Sequence, residues 1–356
     1  MKKLELVIRK LLLTIFLFFC RRSRSSDVPV ISQNSRILFI RLNRIGDALV
    51  ATPLIKAVKD KFNCQVHVLA STNNHFIFNN STLADEVIVF QKGVKNFIST
   101  VKKLNRLNYD VVVDLHDDVS STVSYLIAFI ESRYKFGLNK SNHKIFTHVV
   151  ERIDSTKFHV VERLLELSKL FSIAIDNSKT NIVYRFQRES EFVAKSFIEN
   201  NSLSKKFLIG INISAGSVAR FWGVEKYKQL ISQLSRYDIN LLLLCDENDL
   251  KDAQLISNGS TSIYFQKKYD SFCAMIANLD LLITPDTSIV HIASAYEVPV
   301  FGLYVKYKTV DKIWSPYKSD FDCVVTEDST LNNISFETVK QKFIPFFEKI
   351  YYGSKN

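Results

Sequence analysis

Three loops in this chain carry residue types that do chemistry. The first, RLNRIGDALVATP, follows a short apolar run and contains Asn43, Arg44, Gly46 and Asp47. Gly46 permits a tight turn, and Asp47 falls where the next helix begins. A carboxylate there either accepts the helix's free backbone N–H groups as an N-cap or takes a proton from a hydroxyl presented at the loop. The second loop, in LIGINISAGSVARFWGVEKY, sets Ser214, Gly216 and Ser217 after another apolar run and ahead of Arg220. Hydroxyls, backbone N–H groups and a guanidinium fork match phosphate oxygens, whereas Trp222 fits packing at the start of the following helix. The third, DLLITPDTSIVHIASAYEVPVFGLY, opens a helix with Asp286, Thr287 and Ser288. Unpaired N–H groups at the positive end of a helix form a ready anion site. His291 lies four residues after Thr287 on the same face, where a packed, hydrogen-bonded core histidine is the plainer alternative. A fourth segment, YDVVVDLHDD, ends a strand at Asp114 and His116.

The elements that must position these residues alternate. Apolar, β-rich runs at 36–42, 64–70, 86–90, 110–116 and 135–138 are separated by helical stretches. The rhythm lapses in a polar, Asn/Ser/Lys-rich region and restarts with 207–213, 239–245, 261–265, 280–284 and 299–304, again separated by helices. Continuous apolar runs are the mark of buried parallel strands. Two alternating halves predict an α/β chain of two doubly wound domains facing a cleft, with ligands beyond the carboxyl ends of the strands. The division is 1–35 as an N-terminal helix and tether, 36–180 as a first Rossmann-like domain and 181–205 as a linker. A second domain covers 206–334, and a last amphipathic helix, 335–356, follows it.

Taken together and in this order, the motifs resemble glycosyltransferase family 9, the ADP-heptose:lipopolysaccharide heptosyltransferases. IRLNRIGDALVATPLIKAVKDKF is similar to the family's opening motif, INISAGSVARFWGVEKY to its middle motif and ITPDTSIVHIASAYEVPVFGLY to its donor-site motif. The resemblance implies a GT-B fold with the last helix crossing back onto the first domain. It also implies an inverting reaction with no metal ion and no cofactor. By motif position, Asp47 becomes the base that deprotonates the acceptor hydroxyl. Ser214, Gly216, Ser217, Arg220, Asp286, Thr287, Ser288 and His291 become donor-binding, and Asn43, Arg44, Gly46, Asp114 and His116 line the acceptor side. Implied partners are a nucleotide-sugar donor (ADP-heptose), a lipid-linked saccharide acceptor of the lipopolysaccharide or lipooligosaccharide core, and the cytoplasmic membrane surface. The chain departs from the family pattern at Ser288, usually Gly, at His116, usually Gln, and at Val305-Lys306-Tyr307, where the family usually has a Gly-Pro turn. These departures bear on donor and acceptor identity more than on fold. A transferase using another nucleotide sugar or acceptor, or a nucleotide-sugar binder without turnover, are the alternatives.

Other classes fare worse. A nicotinamide-dependent dehydrogenase needs GxGxxG in the first turn, and NRIGDA has one glycine. Of the net charge of +11, +6 falls in residues 1–36, which leaves +5 for the other 320 and no nucleic-acid signature. The five cysteines are scattered without metal-ligand spacing. Residues 4–20 are apolar apart from Glu5, Arg9, Lys10 and Thr14, with Leu4, Val7, Ile8, Leu11, Leu12, Ile15 and Phe19 at helical spacing. The uninterrupted stretch, 11–20, is half the ~20 residues of a spanning helix, and Arg21, Arg22 and Arg24 follow. A helix lying in the interface, on the inner face of the inner membrane, fits this pattern, with residues 22–35 as a flexible tether. Packing of the same helix on the protein itself is the other reading.

Overall fold

A computed structural model describes residues 2–20, 27–176, 178–259 and 261–354, with side chains from Leu11 onward. The chain divides into two compact units, Met1–Tyr184 and Arg185–Asn356.

The first unit holds a six-stranded sheet of β1 (Arg36–Arg41), β2 (Gln65–Ser71), β3 (Glu86–Phe90), β4 (Tyr109–Asp114), β5 (Ser132–Leu138) and β6 (His148–Val150), in the order β3-β2-β1-β4-β5-β6. The second holds β7 (Phe207–Asn212), β8 (Ile239–Cys245), β9 (Ser262–Phe265), β10 (Leu281–Pro285), β11 (Val300–Val305) and β12 (Phe321–Thr326), in the order β12-β11-β10-β7-β8-β9. Every pairing in both is parallel. Counted within its own unit, each sheet has the doubly wound order 3-2-1-4-5-6, which reverses between its first and fourth strands. Beyond those strands, β1 and β4 in one unit and β7 and β10 in the other, lie the four loops singled out from the sequence. Ile37–Ile40 and Val111–Val113 are wholly buried, as strands covered on both faces must be.

Three features add to the sequence reading. The polar region read as a linker contains a helix, Arg188–Asn200, that belongs to the second unit and packs on the helix Tyr269–Ile276. It buries only Ser190, Ala194 and Ile198, a stripe one residue wide, so its composition looks like a loop. The last helix, Phe336–Gly353, expected to cross onto the first domain, buries Val339, Phe343 and Phe347 in the second unit's own core, beside Trp222 and Tyr227. The N-terminal helix, Lys2–Phe19, sets Leu13, Phe16 and Leu17 against the helix Ser121–Phe129 of the first unit. Of the tether read at 22–35, residues 22–26 lie outside the described residues, as do Arg21, Arg22 and Arg24.

Candidate functional site

In the first unit the residues gather beyond the carboxyl ends of β1 and β4. β1 ends on Arg41, a charged residue closing an apolar strand, and the loop Leu42–Arg44 leads into the short helix Ile45–Leu49. Asp47 lies inside that helix. Its N-cap is Arg44, which makes no side-chain capping bond, so Asp47 is not the cap that its position allowed. Gly46 lies within the same helical turn and has no positive φ.

Asp47 is held by Arg41. The Arg41 Nη2 donates to Asp47 Oδ1 at 2.8 Å, its Nε to the Asp47 carbonyl at 2.8 Å, and its Nη1 to the Leu115 carbonyl. Asn43 Nδ2 reaches the same Oδ1 at 3.4 Å. Asp47 Oδ2 has no hydrogen-bond partner among the described residues, and the side chain is 17% exposed. Arg41, in contrast, is 1% exposed. Burial pulls its pKa below the ordinary arginine value against the raising effect of Asp47 and Asp114. Buried Asn74 braces the loop from beneath, donating to the carbonyls of Arg41 (3.0 Å) and Asn43 (2.9 Å). Asn43 and Arg44 are exposed.

Asp114 and His116 were placed on the acceptor side by motif, but both are buried and committed to protein partners. Asp114 Oδ1 accepts from His116 Nδ1 (2.8 Å) and the His116 amide (3.0 Å), and Oδ2 accepts from Lys140 Nζ (2.9 Å). His116 Nε2 accepts the Leu42 amide at 3.2 Å, which fixes a neutral tautomer with the proton on Nδ1. Burial alone would raise the Asp114 pKa. The Lys140 ammonium and the His116 imidazole outweigh it and hold the carboxyl well below the usual carboxylate range. For His116 burial wins over Asp114, and the pKa is lowered. The pair therefore fastens the start of the Asp47 loop through the His116 ring and the Leu42 amide. The adjacent Asp117 is taken by two arginines, Arg152 and Arg163, at 2.9 Å each.

In the second unit the loops after β7 and β10 are joined by buried Asn212, whose Nδ2 donates to Thr284 Oγ1 (2.9 Å) and to the Ser214 carbonyl (3.0 Å). Ser214 Oγ bonds to Asp249 and accepts the Asp246 amide at 2.9 Å. Gly216 has φ +62° with open space where a Cβ would stand, and Ser217 is exposed. The loop thus keeps backbone and hydroxyl accessible.

Arg220 and Asp286 meet. Nη1 donates to the Asp286 carbonyl at 2.8 Å and Nη2 to Oδ2 at 3.0 Å, with both side chains partly exposed. Thr287 Oγ1 accepts the Ile289 amide at 3.1 Å, just ahead of the helix Ile289–Ala295, whose N-cap Ser288 makes no side-chain capping bond. Ser288 shares a hydrogen bond with the hydroxyl of half-buried Tyr269, 2.9 Å away. His291 is buried with its ring beside Trp314, the packed alternative noted from sequence. Trp222 is fully buried and donates to the Ile334 carbonyl at 2.9 Å.

Arg41, Asn74 and Lys140 did not emerge from the sequence as site residues. Arg41 left a trace there, as the lone charge at the end of a buried strand. Asn74 and Lys140 left none, because their partners are distant in the chain.

Two parallel sheets of this order, each with a polar loop cluster at its reversal point, are the two Rossmann-like halves of a GT-B architecture. A model of glycosyltransferase family 9 (heptosyltransferase) matches residues 97–343, and the chain belongs to that family. It is 24% identical over 291 residues to lipopolysaccharide heptosyltransferase 3 of Escherichia coli K12, covering 76% of this chain and 82% of the relative. Among solved structures it is similar to the family 9 glycosyl transferase of Veillonella parvula (TM-score 0.75, 19% identity, 90% of this chain and 99% of that one). It is also similar to E. coli heptosyltransferase WaaC with ADP (TM-score 0.68, 17% identity, 88% and 99%).

Proposed function

We propose that the chain transfers heptose from ADP-heptose, with inversion at the anomeric carbon and without a metal ion, to a lipopolysaccharide or lipooligosaccharide core acceptor. The observation that carries this reading is the unequal treatment of the two Asp47 oxygens. Oδ1 is fixed by Arg41 and Asn43, and Oδ2 has no partner among the described residues. A base oriented through one oxygen presents the other without losing geometry to rotation. As the acceptor oxygen bonds to the anomeric carbon, its proton passes to Oδ2. The bond between the anomeric carbon and the diphosphate oxygen breaks, and ADP leaves with the electron pair.

The departing diphosphate gathers negative charge, and the second unit is the part suited to receive it. Asp286 orients Arg220 through two contacts, and the remaining guanidinium N–H groups serve phosphate oxygens. The open backbone at Gly216 and the hydroxyl of Ser217 add neutral donors. Heptose and ADP are chosen because relatives carry those words in their names: the E. coli relative is a heptosyltransferase and the WaaC structure holds ADP. The acceptor is membrane-borne in this reading, and the N-terminal helix docks the protein on the cytoplasmic leaflet of the inner membrane. No helix among the described residues is long and apolar enough to cross a membrane.

The test is a donor panel. Purified protein incubated with ADP-heptose, ADP-glucose and UDP-sugars, with core acceptor, should release ADP only from the heptose donor. Release of UDP in preference would replace the proposed donor. Binding without release of either nucleotide would leave only the inactive binder.

A further inference from the structure

We propose that the first unit carries a composite lipid-docking surface, formed by the N-terminal helix, Phe129 and the helix Val94–Arg106, that holds this unit in one orientation on an anionic membrane. The inference rests on the reading of the N-terminal helix as lipid-facing and extends it to the folded domain. If that helix swung on a flexible tether, it would tell the domain nothing about which side faces lipid. Instead Leu13, Phe16 and Leu17 pack on the unit, while Leu11, Leu12, Ile15, Phe18 and Phe19 stay exposed, Phe18 at 73% and Phe19 at 76%. The apolar face is thereby fixed to the sheet it accompanies.

Phe129 joins this face to a second one. It is 51% exposed, and its ring touches Phe16 of the N-terminal helix (centroids 5.8 Å apart) and Phe97 of Val94–Arg106 (6.2 Å). That helix exposes Val94 (78%) and Ile98 at four-residue spacing, with Lys95, Lys102 and Arg106 on the same side. None of these three cations has an ion-pair partner among the described residues, whereas neighbouring Lys103 is paired with Glu86. Exposed Glu131 follows Phe129 by two residues in the chain, near exposed Arg133, and exposed Asp110 accepts the Arg36 amide.

The mixture selects the occupant. Protein interfaces deplete lysine at their apolar centre, and a second copy of this face would set like charges against each other. A bilayer interface accepts both components at once, because apolar groups enter the acyl boundary while cations rise on their aliphatic stems to headgroup phosphates.

The experiment uses the full chain and co-sedimentation with phosphatidylcholine vesicles, with and without about 30% phosphatidylglycerol. Wild type should prefer the anionic vesicles. The variant Lys95→Gln/Lys102→Gln/Arg106→Gln should bind them more weakly, by about 5-fold per removed charge, and Phe18→Ser/Phe19→Ser should weaken binding to both. All substituted positions are exposed, so melting temperatures should match wild type. If wild type binds and the triple variant binds equally well, the composite surface is overturned while the helix reading stands. If wild type ignores both vesicles, the helix reading falls and this inference with it. A concentration-dependent dimer that Phe18→Ser/Phe19→Ser dissolves, without vesicle binding, would assign the face to self-association instead.

Discussion

Asp47 makes three contacts through two of its atoms, Oδ1 and the carbonyl oxygen, and two of the three come from a single buried arginine. Arg41→Met should therefore lower kcat by about 10–100-fold through misplacement of the base, while the affinity for ADP stays unchanged. Arg41→Lys should restore part of the rate, since it keeps the charge and loses the fork. Steady-state kinetics beside an ADP titration separate the two effects, and a changed ADP affinity with unchanged kcat would refute the positioning role. In the second unit, Arg220→Ala removes a charge-assisted contact worth roughly 1.5–3 kcal/mol, so calorimetry should find ADP bound about 10- to 100-fold more weakly. Ser288→Gly, which restores the usual family residue, should cost about 1 kcal/mol of stability by removing the hydrogen bond to half-buried Tyr269. His116 gives a pH prediction. Its folded pKa is depressed, so between that value and the unfolded value of ~6.5 the unfolded chain binds the extra proton. Stability is then full above ~6.5 and falls as the pH drops through that window. Melting temperature against pH should show the fall, and His116→Gln should flatten it. His67, likewise depressed by burial, should leave a residual slope.

At the scale of elements, the last helix shows most clearly what holds the second unit together. Phe343 and Phe347 are wholly buried against the second sheet's helices, so Phe347→Ala should destabilise that unit by about 3–5 kcal/mol. Chemical denaturation followed by tryptophan fluorescence of buried Trp222 reads this out, and an unchanged midpoint would contradict the packing. The strands legible in the sequence were the continuous apolar runs, FLIGINI and DVVVDLH among them, because burial on both faces demands such runs. β6 and β12 were not legible. His148–Val150 is three half-buried residues at a sheet edge, and FDCVVT is an exposed-to-buried mixture at the other sheet's edge. The helix Arg188–Asn200 hid for the related reason that a single stripe of Ser, Ala and Ile is all it buries. Within the site, Asp47 and Arg220 stood out by type and place. The burial of Asp114 and His116 was invisible, because it depends on Lys140 and Leu42, which only the folded sheet brings near.

Across the whole molecule, two units of the same strand order contribute different groups to the proposed reaction. The first presents a carboxylate fixed through one oxygen, and the second presents an arginine fixed by an aspartate. Their separability can be measured, since a fault in one should leave the other's property intact. Asp47→Asn is the sharpest probe. It keeps the size of the side chain and an oxygen for Arg41, and Asp47 caps no helix, so neither fold nor ADP affinity should move. The deciding measurement is the single-turnover rate of sugar transfer by Asp47→Asn at saturating donor. The account predicts a fall of about 10²–10⁴-fold. Transfer at the wild-type rate would contradict it and remove Asp47 from the chemistry.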